Sequence, residues 1–226
     1  MSERVAVVAG AGGELGRATA ISLAGAGFTV VAVNRTMKAL DELPDGIRRE
    51  AGDTTDQAVV KGLIDRIAGE VVPPEVLVNT IGAFHPGEAV AATAEDLRVM
   101  MDVNLGPALW LSQAVEPYMR QRGGGAIVHV SARPGTDPTA GMAAYSLSKA
   151  ALSYLIHILD LELHPHGIRV NAVAPQLLDT AANRATFPPE LLAHAVRPEA
   201  IADVIAFLVS DRAALVSGTV VPVYGA

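Results

Sequence analysis

Cysteine is absent from the 226 residues, which excludes disulfides, thiolate chemistry and cysteine-ligated metals. Basic runs are missing too, and the net charge is −7. Phosphate backbones call for clustered lysine and arginine, so nucleic acid is not an expected partner. No grouping of His, Asp and Glu has the spacing of metal ligands, and no metal is expected. The opening MSERVAVVAGAGG lacks the long apolar run of a signal peptide or membrane helix, so a cytoplasmic protein with no membrane partner is the expectation. No stretch with a shift in composition marks a linker, and a single domain over 1–226 follows.

What is present is core. Half of the residues are hydrophobic, 18% are charged and 21 are glycine, the balance of a compact chain rather than a disordered one. Short apolar runs at 4–9, 28–33, 47–53, 75–79, 126–131, 168–174 and 219–224 read as strands. Helical patterns lie between them, near 14–26, 55–69, 94–120, 142–164 and 198–210, with a weaker one near 36–42. Strand and helix in alternation predict βαβ units and an α/β fold: a parallel sheet with helices on both faces. The near-continuous apolar strands fit, because such strands are buried on both sides. The segment 175–197 is irregular and bounded by proline. It suits a lid over a site, placed at 176–197, with 183–197 closing on the substrate.

VAGAGGELGRATA follows the first strand and opens the first helix. Glycines at 10, 12, 13 and 16 let the backbone turn tightly and bring N–H groups against a pyrophosphate at a helix N-terminus. The alternative is a glycine-rich turn with no ligand. Glu14 lies inside this turn and must point away from bound phosphate. The second strand ends in Asn34 and Arg35, where an acidic residue would hold the two ribose hydroxyls of NAD. An amide followed by a guanidinium suits the 2′-phosphate of NADP instead; the plainer reading of Arg35 is a solvated side chain. Asp53 ends the third strand, either facing adenine or capping the next helix, near which Asp56 also stands. Asn79 to Gly82 end the fourth strand, at the crevice where strand order reverses.

Tyr145 and Lys149 are four apart and share a helix face. An ammonium beside a phenol lowers the phenol's pKa and makes it an acid/base near neutrality. Pairs at this spacing also occur on many surface helices.

In order along the chain, the glycine turn, GDTTD, VNTIG, MDVNLGPALWLSQA, AIVHVSARPG, YSLSKAAL, IRVNAVAPQLLDT and SGTVVPVYG resemble the short-chain dehydrogenase/reductase family over essentially the whole length. The resemblance implies a doubly wound sheet of seven parallel strands (a Rossmann domain), a nicotinamide cofactor and hydride transfer. It also implies homodimers or homotetramers built on the helices near 94–120 and 142–164. Tyr145 would be the acid/base, Lys149 its partner, and Asn104 the residue holding a water in the proton relay, unless Asn104 only satisfies backbone at a helix kink. The cofactor would be held by Gly10, Gly12, Gly13, Leu15 and Gly16 at the turn. Asn34, Arg35, Asp53, Thr54, Asn79, Ile81 and Gly82 would follow at the strand ends, then Tyr145, Lys149, Pro175, Leu178 and Thr180.

Several positions depart from the family. Ala9 replaces a threonine, Glu14 a glycine, and Gln176 the glycine after Pro175. Most consequential is the catalytic serine, whose position falls on Ala132, with Ser131 one residue early. Side chains alternate in an extended chain, so Ser131 replaces it only if the strand end bends. A branch that also lacks this serine, the dihydropteridine reductases and their bacterial relatives, is resembled by GAGGELG, GTDPTAGMAAYSLSKAA and LLDTAANRATFPPE. The sequence thus points to an NADP-dependent oxidoreductase, NAD remaining possible, acting on a small carbonyl, imine or quinonoid substrate. The alternative is a non-catalytic NADP(H)-binding sensor or scaffold. His85 and Arg133 follow strands and line a prospective substrate pocket. His129, in mid-strand, reads as a core or interface histidine, while His157, His164 and His166 read as solvated or interfacial.

Overall fold

The computed structural model describes residues 4–225. Seven strands form one parallel sheet: β1 Val5–Ala9, β2 Thr29–Asn34, β3 Arg48–Ala51, β4 Val76–Asn79, β5 Gly125–Val130, β6 Ile168–Pro175 and β7 Val220–Val223. Their order is β3-β2-β1-β4-β5-β6-β7. The helices are α1 Glu14–Gly25, α2 Gln57–Glu70, α3 Ala94–Asn104, α4 Gly106–Arg122, α5 Ala143–Leu163, α6 Ala181–Thr186, α7 Pro189–Leu192 and α8 Pro198–Val209. The weak helical pattern near 36–42 is a 3-10 turn at Met37–Leu40.

Alternation along each strand divides the core in two. Ala6, Val8, Val30, Ala32, Val76 and Val78 pack with Leu15, Leu23, Ile201 and Ile205 of α1 and α8. Val5, Val7, Val31, Val33 and Leu77 face the other way, onto Leu63, Leu111 and Ile156 of α2, α4 and α5. Both faces of the sheet are therefore dry, which is why these strands read as unbroken apolar runs. The edge strand β3 is the exception. It carries Arg48 and Glu50, paired to each other at 2.8 Å, with Glu70 of α2 also bonded to Arg48. Charge on an exposed edge discourages pairing with another sheet.

The helix expected over 94–120 is two helices, and this corrects the sequence reading. The chain breaks at Leu105, before Gly106 and Pro107 open α4. Proline lacks an N–H and restricts the residue before it, so the GP pair carried the signal. The chain leaves β1 toward β2 in one direction and later returns so that β4 lies on β1's other side, with Ala9 opposite Asn79. The turns after β1 and β4 are thereby neighbours at the point where strand order reverses.

Candidate functional site

The glycine turn is built for close approach. Gly10 has φ +83, in the left-handed region, and a Cβ there would come within 2.6 Å of Thr80 Oγ1. A Cβ at Gly16 would collide with the Gly10 carbonyl, and one at Gly12 would lie 2.9 Å from Asn34 Cγ. Gly13, the N-cap of α1, supplies no side-chain bond to the helix. The first N–H groups of α1 therefore have no side-chain cap of their own, the arrangement that receives anions. Leu15, by contrast, buries its side chain in the core and leaves only its backbone to the turn.

At the end of β2, Arg35 is exposed, and among the described residues it makes no hydrogen bond or ion pair. Asp53 is not a helix cap: it accepts from Thr55 N at 3.0 Å and Thr55 Oγ1 at 2.7 Å. Those bonds, with Arg35 nearby as a smaller cause, hold its carboxyl below the usual range. The cap of α2 is Asp56, which accepts from Ala58 N and Val59 N. Thr54, between the two acids, is buried.

Beyond β4 the side chains converge. Asn79 Oδ1 accepts from Ile81 N at 3.0 Å and so fixes the turn. Its Nδ2 lies 3.3 Å from Nδ1 of His129, whose Nε2 lies 3.0 Å from Ser112 Oγ. Ser112 donates onward to the Ala108 carbonyl at 2.7 Å, which assigns the His129 proton to Nε2. Burial, with Lys149 nearby, pushes His129 down to about 3, so the ring is neutral. His129 is thus a satisfied core histidine that braces Asn79.

Asn104 ends α3 with its amide fully engaged. Oδ1 accepts from Ala83 N at 2.9 Å, and Nδ2 donates to the Ala83 carbonyl and to Ser148 Oγ, both at 3.0 Å. Ser148 in turn donates to the Tyr145 carbonyl at 2.7 Å. Lys149 Nζ donates to the Val130 carbonyl at 2.9 Å. A Cβ at Gly82 would lie 2.9 Å from both Asn104 Oδ1 and Lys149 Nζ, so these two groups meet at a bare backbone position. The Phe84 ring stands edge-on to Tyr145 with centroids 5.2 Å apart. Ser148 and Phe84 were not singled out from the sequence; the step of three from Tyr145 to Ser148 was the available signal for the first, and Phe84 had none.

Burial pushes the Tyr145 phenol up to about 12 and the Lys149 ammonium down to about 8. The expectation of a phenol lowered by its neighbour is corrected here. Desolvation governs both groups, disfavouring phenolate and ammonium alike.

Ser131 does not stand in for the serine expected at 132. Its Oγ lies 2.7 Å from Ser153 Oγ and 3.2 Å from the Lys149 carbonyl, both on α5. Ala132 follows in extended geometry at φ −161, so no bend swaps their directions. The turn continues to Gly135, packed so closely on α5 that a Cβ would lie 2.6 Å from the Lys149 carbonyl carbon. Arg133, next to Ala132, donates to Gln176 Oε1 at 2.8 Å and lies over the Tyr224 ring at 4.9 Å.

The 175–197 segment is folded rather than loose. Pro175 is buried at the end of β6, and Leu178 bridges to Val196. Thr180 caps α6 by accepting from Asn183 N. His85 lies 3.5 Å from Asp96 and, with Gly87 and Ala144, lines a cavity of about 200 Å³ beside Tyr145 on the chain. His157 and His164 are exposed; the first lies 3.0 Å from the Gly218 carbonyl. Among the described residues no three His, Cys, Asp or Glu side chains gather as a metal site, and no helix is long and apolar enough to cross a membrane.

The family model for short chain dehydrogenases matches residues 4–191. Galactitol 2-dehydrogenase of Rhizobium johnstonii is 35% identical, aligned over 96% of this chain and 92% of its own. L-xylulose reductase of Mus musculus is 32% identical over 100% of this chain and 96% of its own. Among solved structures, 7 alpha-hydroxysteroid dehydrogenase complexed with NADH and 7-oxo glycochenodeoxycholic acid superposes with a TM-score of 0.91 at 29% identity, covering 98% of this chain and 93% of that one. L-sorbose reductase from Gluconobacter frateurii, complexed with NADPH and L-sorbose, gives 0.89 at 26% identity, covering 99% and 96%.

Proposed function

Since the chain belongs to the short-chain dehydrogenase/reductase family of oxidoreductases, we propose that it moves hydride between NADP(H) and a small carbonyl, imine or quinonoid substrate, with Tyr145 as acid/base. The observation that carries this reading is the meeting at Gly82 of Asn104, from the end of α3, with Lys149, from the face of α5 that also bears Tyr145. A binding protein has no use for such a cluster, which weighs against a sensor or scaffold.

The residues present fit a dinucleotide. Gly10, Gly12 and Gly16 have no room for a Cβ, and α1 opens without a side-chain cap. The backbone from Gly10 to Gly16, Leu15 and Gly13 included, would hold the diphosphate. Asp53 and Thr54 would flank the adenine, and Asn79, Ile81 and Gly82 the ribose beyond. Pro175, Leu178 and Thr180 would hold the carboxamide end. When bound, the nicotinamide gives or takes hydride at C4. NADP is preferred over NAD because Arg35 is an uncommitted guanidinium beside Asn34, with no acid at the β2 end to bind ribose hydroxyls. The related structures carry NADH in one case and NADPH in the other.

Tyr145 protonates the substrate's oxygen or nitrogen as hydride arrives at carbon. Its high pKa in the folded protein keeps the proton in place until charge develops on the substrate. Lys149 then stabilises the phenolate. Both amide hydrogens of Asn104 are spent on Ala83 and Ser148, so a relay water would be held by the Asn104 main chain at the helix break. Residues 176–197 would cover the substrate. With Ala132 in place of a hydroxyl donor, a conjugated electrophile that needs little polarisation is favoured over a simple ketone. Leu147, Tyr154, Ile158 and Leu161 leave an exposed apolar stripe on α5, the face through which a homodimer or homotetramer would form.

The test is NADPH oxidation across a panel of ketoses, diketones and quinonoid pterins. Tyr145→Phe should cut turnover by about a thousandfold or more while NADPH affinity stays within about threefold. Undiminished turnover in that variant sinks the role given to Tyr145.

A further inference from the structure

Glu14 stands at the rim of the glycine turn, yet its carboxylate is bonded to a different part of the chain. Glu14 Oε1 accepts from Ala181 N at 2.7 Å, which ties the first residue of α6 to the first residue of α1. Among the described residues no lysine, arginine or histidine pairs with Glu14. The nearby Arg17 is paired with Glu42. An uncompensated negative charge is therefore fixed beside backbone that has no side-chain cap and no room for a Cβ. Without a ligand this is favourable, because a carboxylate in the first turn meets the positive end of the helix. With a dinucleotide in the turn, the same charge would stand near its diphosphate, although the carboxylate is held toward Ala181.

We propose that Glu14 sets cofactor affinity. Its carboxylate straps the 181–186 segment to the rim of the glycine turn, and its charge opposes the diphosphate of any dinucleotide that enters. The assignment rests on the dinucleotide reading above and adds a cost to it. Both NADP(H) and NAD(H) bear the diphosphate, so Glu14 weakens both by the same factor and leaves the choice between them to the β2 end. The two roles also separate chemically. The strap needs an acceptor oxygen, whereas the repulsion needs a charge. Glutamine keeps the first and removes the second, and alanine removes both.

Calorimetric titration of the purified protein and its variants with NADPH, NADH and adenosine tests the assignment. Glu14→Gln should bind NADPH and NADH more tightly by one common factor of roughly three to ten, the size of a unit-charge repulsion across a few ångströms of water-like dielectric. The gain should shrink in about half-molar salt, where screening is short-ranged. Adenosine, which has no diphosphate, should bind both forms equally. Glu14→Ala should in addition let the Ala181 amide exchange faster with deuterium. Dinucleotide binding no tighter in Glu14→Gln, or a gain as large for adenosine, overturns the charge role and leaves the dinucleotide reading intact. Unchanged exchange at Ala181 in Glu14→Ala overturns the strap. Failure of the wild-type protein to bind either dinucleotide removes the underlying reading instead.

Discussion

The hydroxyls of Ser131 and Ser153 lie 2.7 Å apart, and this pair turns the serine that follows β5 toward α5. The next side chain, at 132, is a methyl group. Ala132→Ser should therefore supply the missing donor to a substrate oxygen. We expect kcat/KM toward an unconjugated ketone to rise by about tenfold or more, with little gain for a conjugated substrate. Ser131→Ala should cost about 1 kcal/mol in denaturant unfolding and leave turnover within about twofold. A loss of turnover in Ser131→Ala larger than that in Tyr145→Phe would return Ser131 to the site.

Lys149 makes stability depend on pH in a definite direction. Burial brings its folded pKa down to about 8, below the ordinary lysine value of 10.5, so the unfolded chain binds more protons between those values. Stability should rise as pH climbs from about 8 to 10. Below that window the buried ammonium is a cost on the order of 3 kcal/mol. Lys149→Met should unfold at a higher denaturant midpoint at pH 7, lose that advantage near pH 10, and have no measurable turnover. A midpoint difference that does not change with pH would contradict the burial effect.

Arg35 should separate the two cofactors. Arg35→Ala is expected to weaken NADPH about tenfold and leave NADH within about twofold, read by fluorescence titration. Asn34→Asp should push the same ratio further. Equal losses for both dinucleotides would place the guanidinium elsewhere.

His129 should matter to stability through its neighbours. His129→Leu strands Asn79 Nδ2 and removes the hydrogen that Ser112 Oγ accepts, and we expect a loss of about 2 kcal/mol in unfolding. His129→Asn should recover part of it. A neutral outcome for His129→Leu would mean that the three-residue chain carries no net stabilisation.

The sheet was readable because its strands are buried on both sides, so Val5 to Ala9 and Val30 to Val33 carry no polar interruption. The turn at Gly10 to Gly16 was readable because its glycines fall between a strand and a helix, whereas the pair Tyr145 and Lys149 stood out only through the family resemblance. Contacts between distant segments were not readable. Nothing in the spacing tells that Glu14 reaches Ala181, that Asn104 spends its amide on Ala83, or that Phe84 meets Tyr145 edge-on. The direction of the Tyr145 pKa was also hidden, because it depends on how much water the fold removes from both partners rather than on how many residues separate them.

The missing Cβ at Gly135 has a mechanical consequence. The turn that carries Ala132 is seated against the backbone of α5 at Lys149, so a shift of the strand end would be passed directly to the helix that bears Tyr145 and Lys149. On the proposed assignment, motions that admit or release substrate would come from the opposite walls, the 83–92 loop and the 176–197 segment. Variation aimed at new substrates belongs in those two walls, where it can change the shape of the opening without disturbing the distance over which the proton travels.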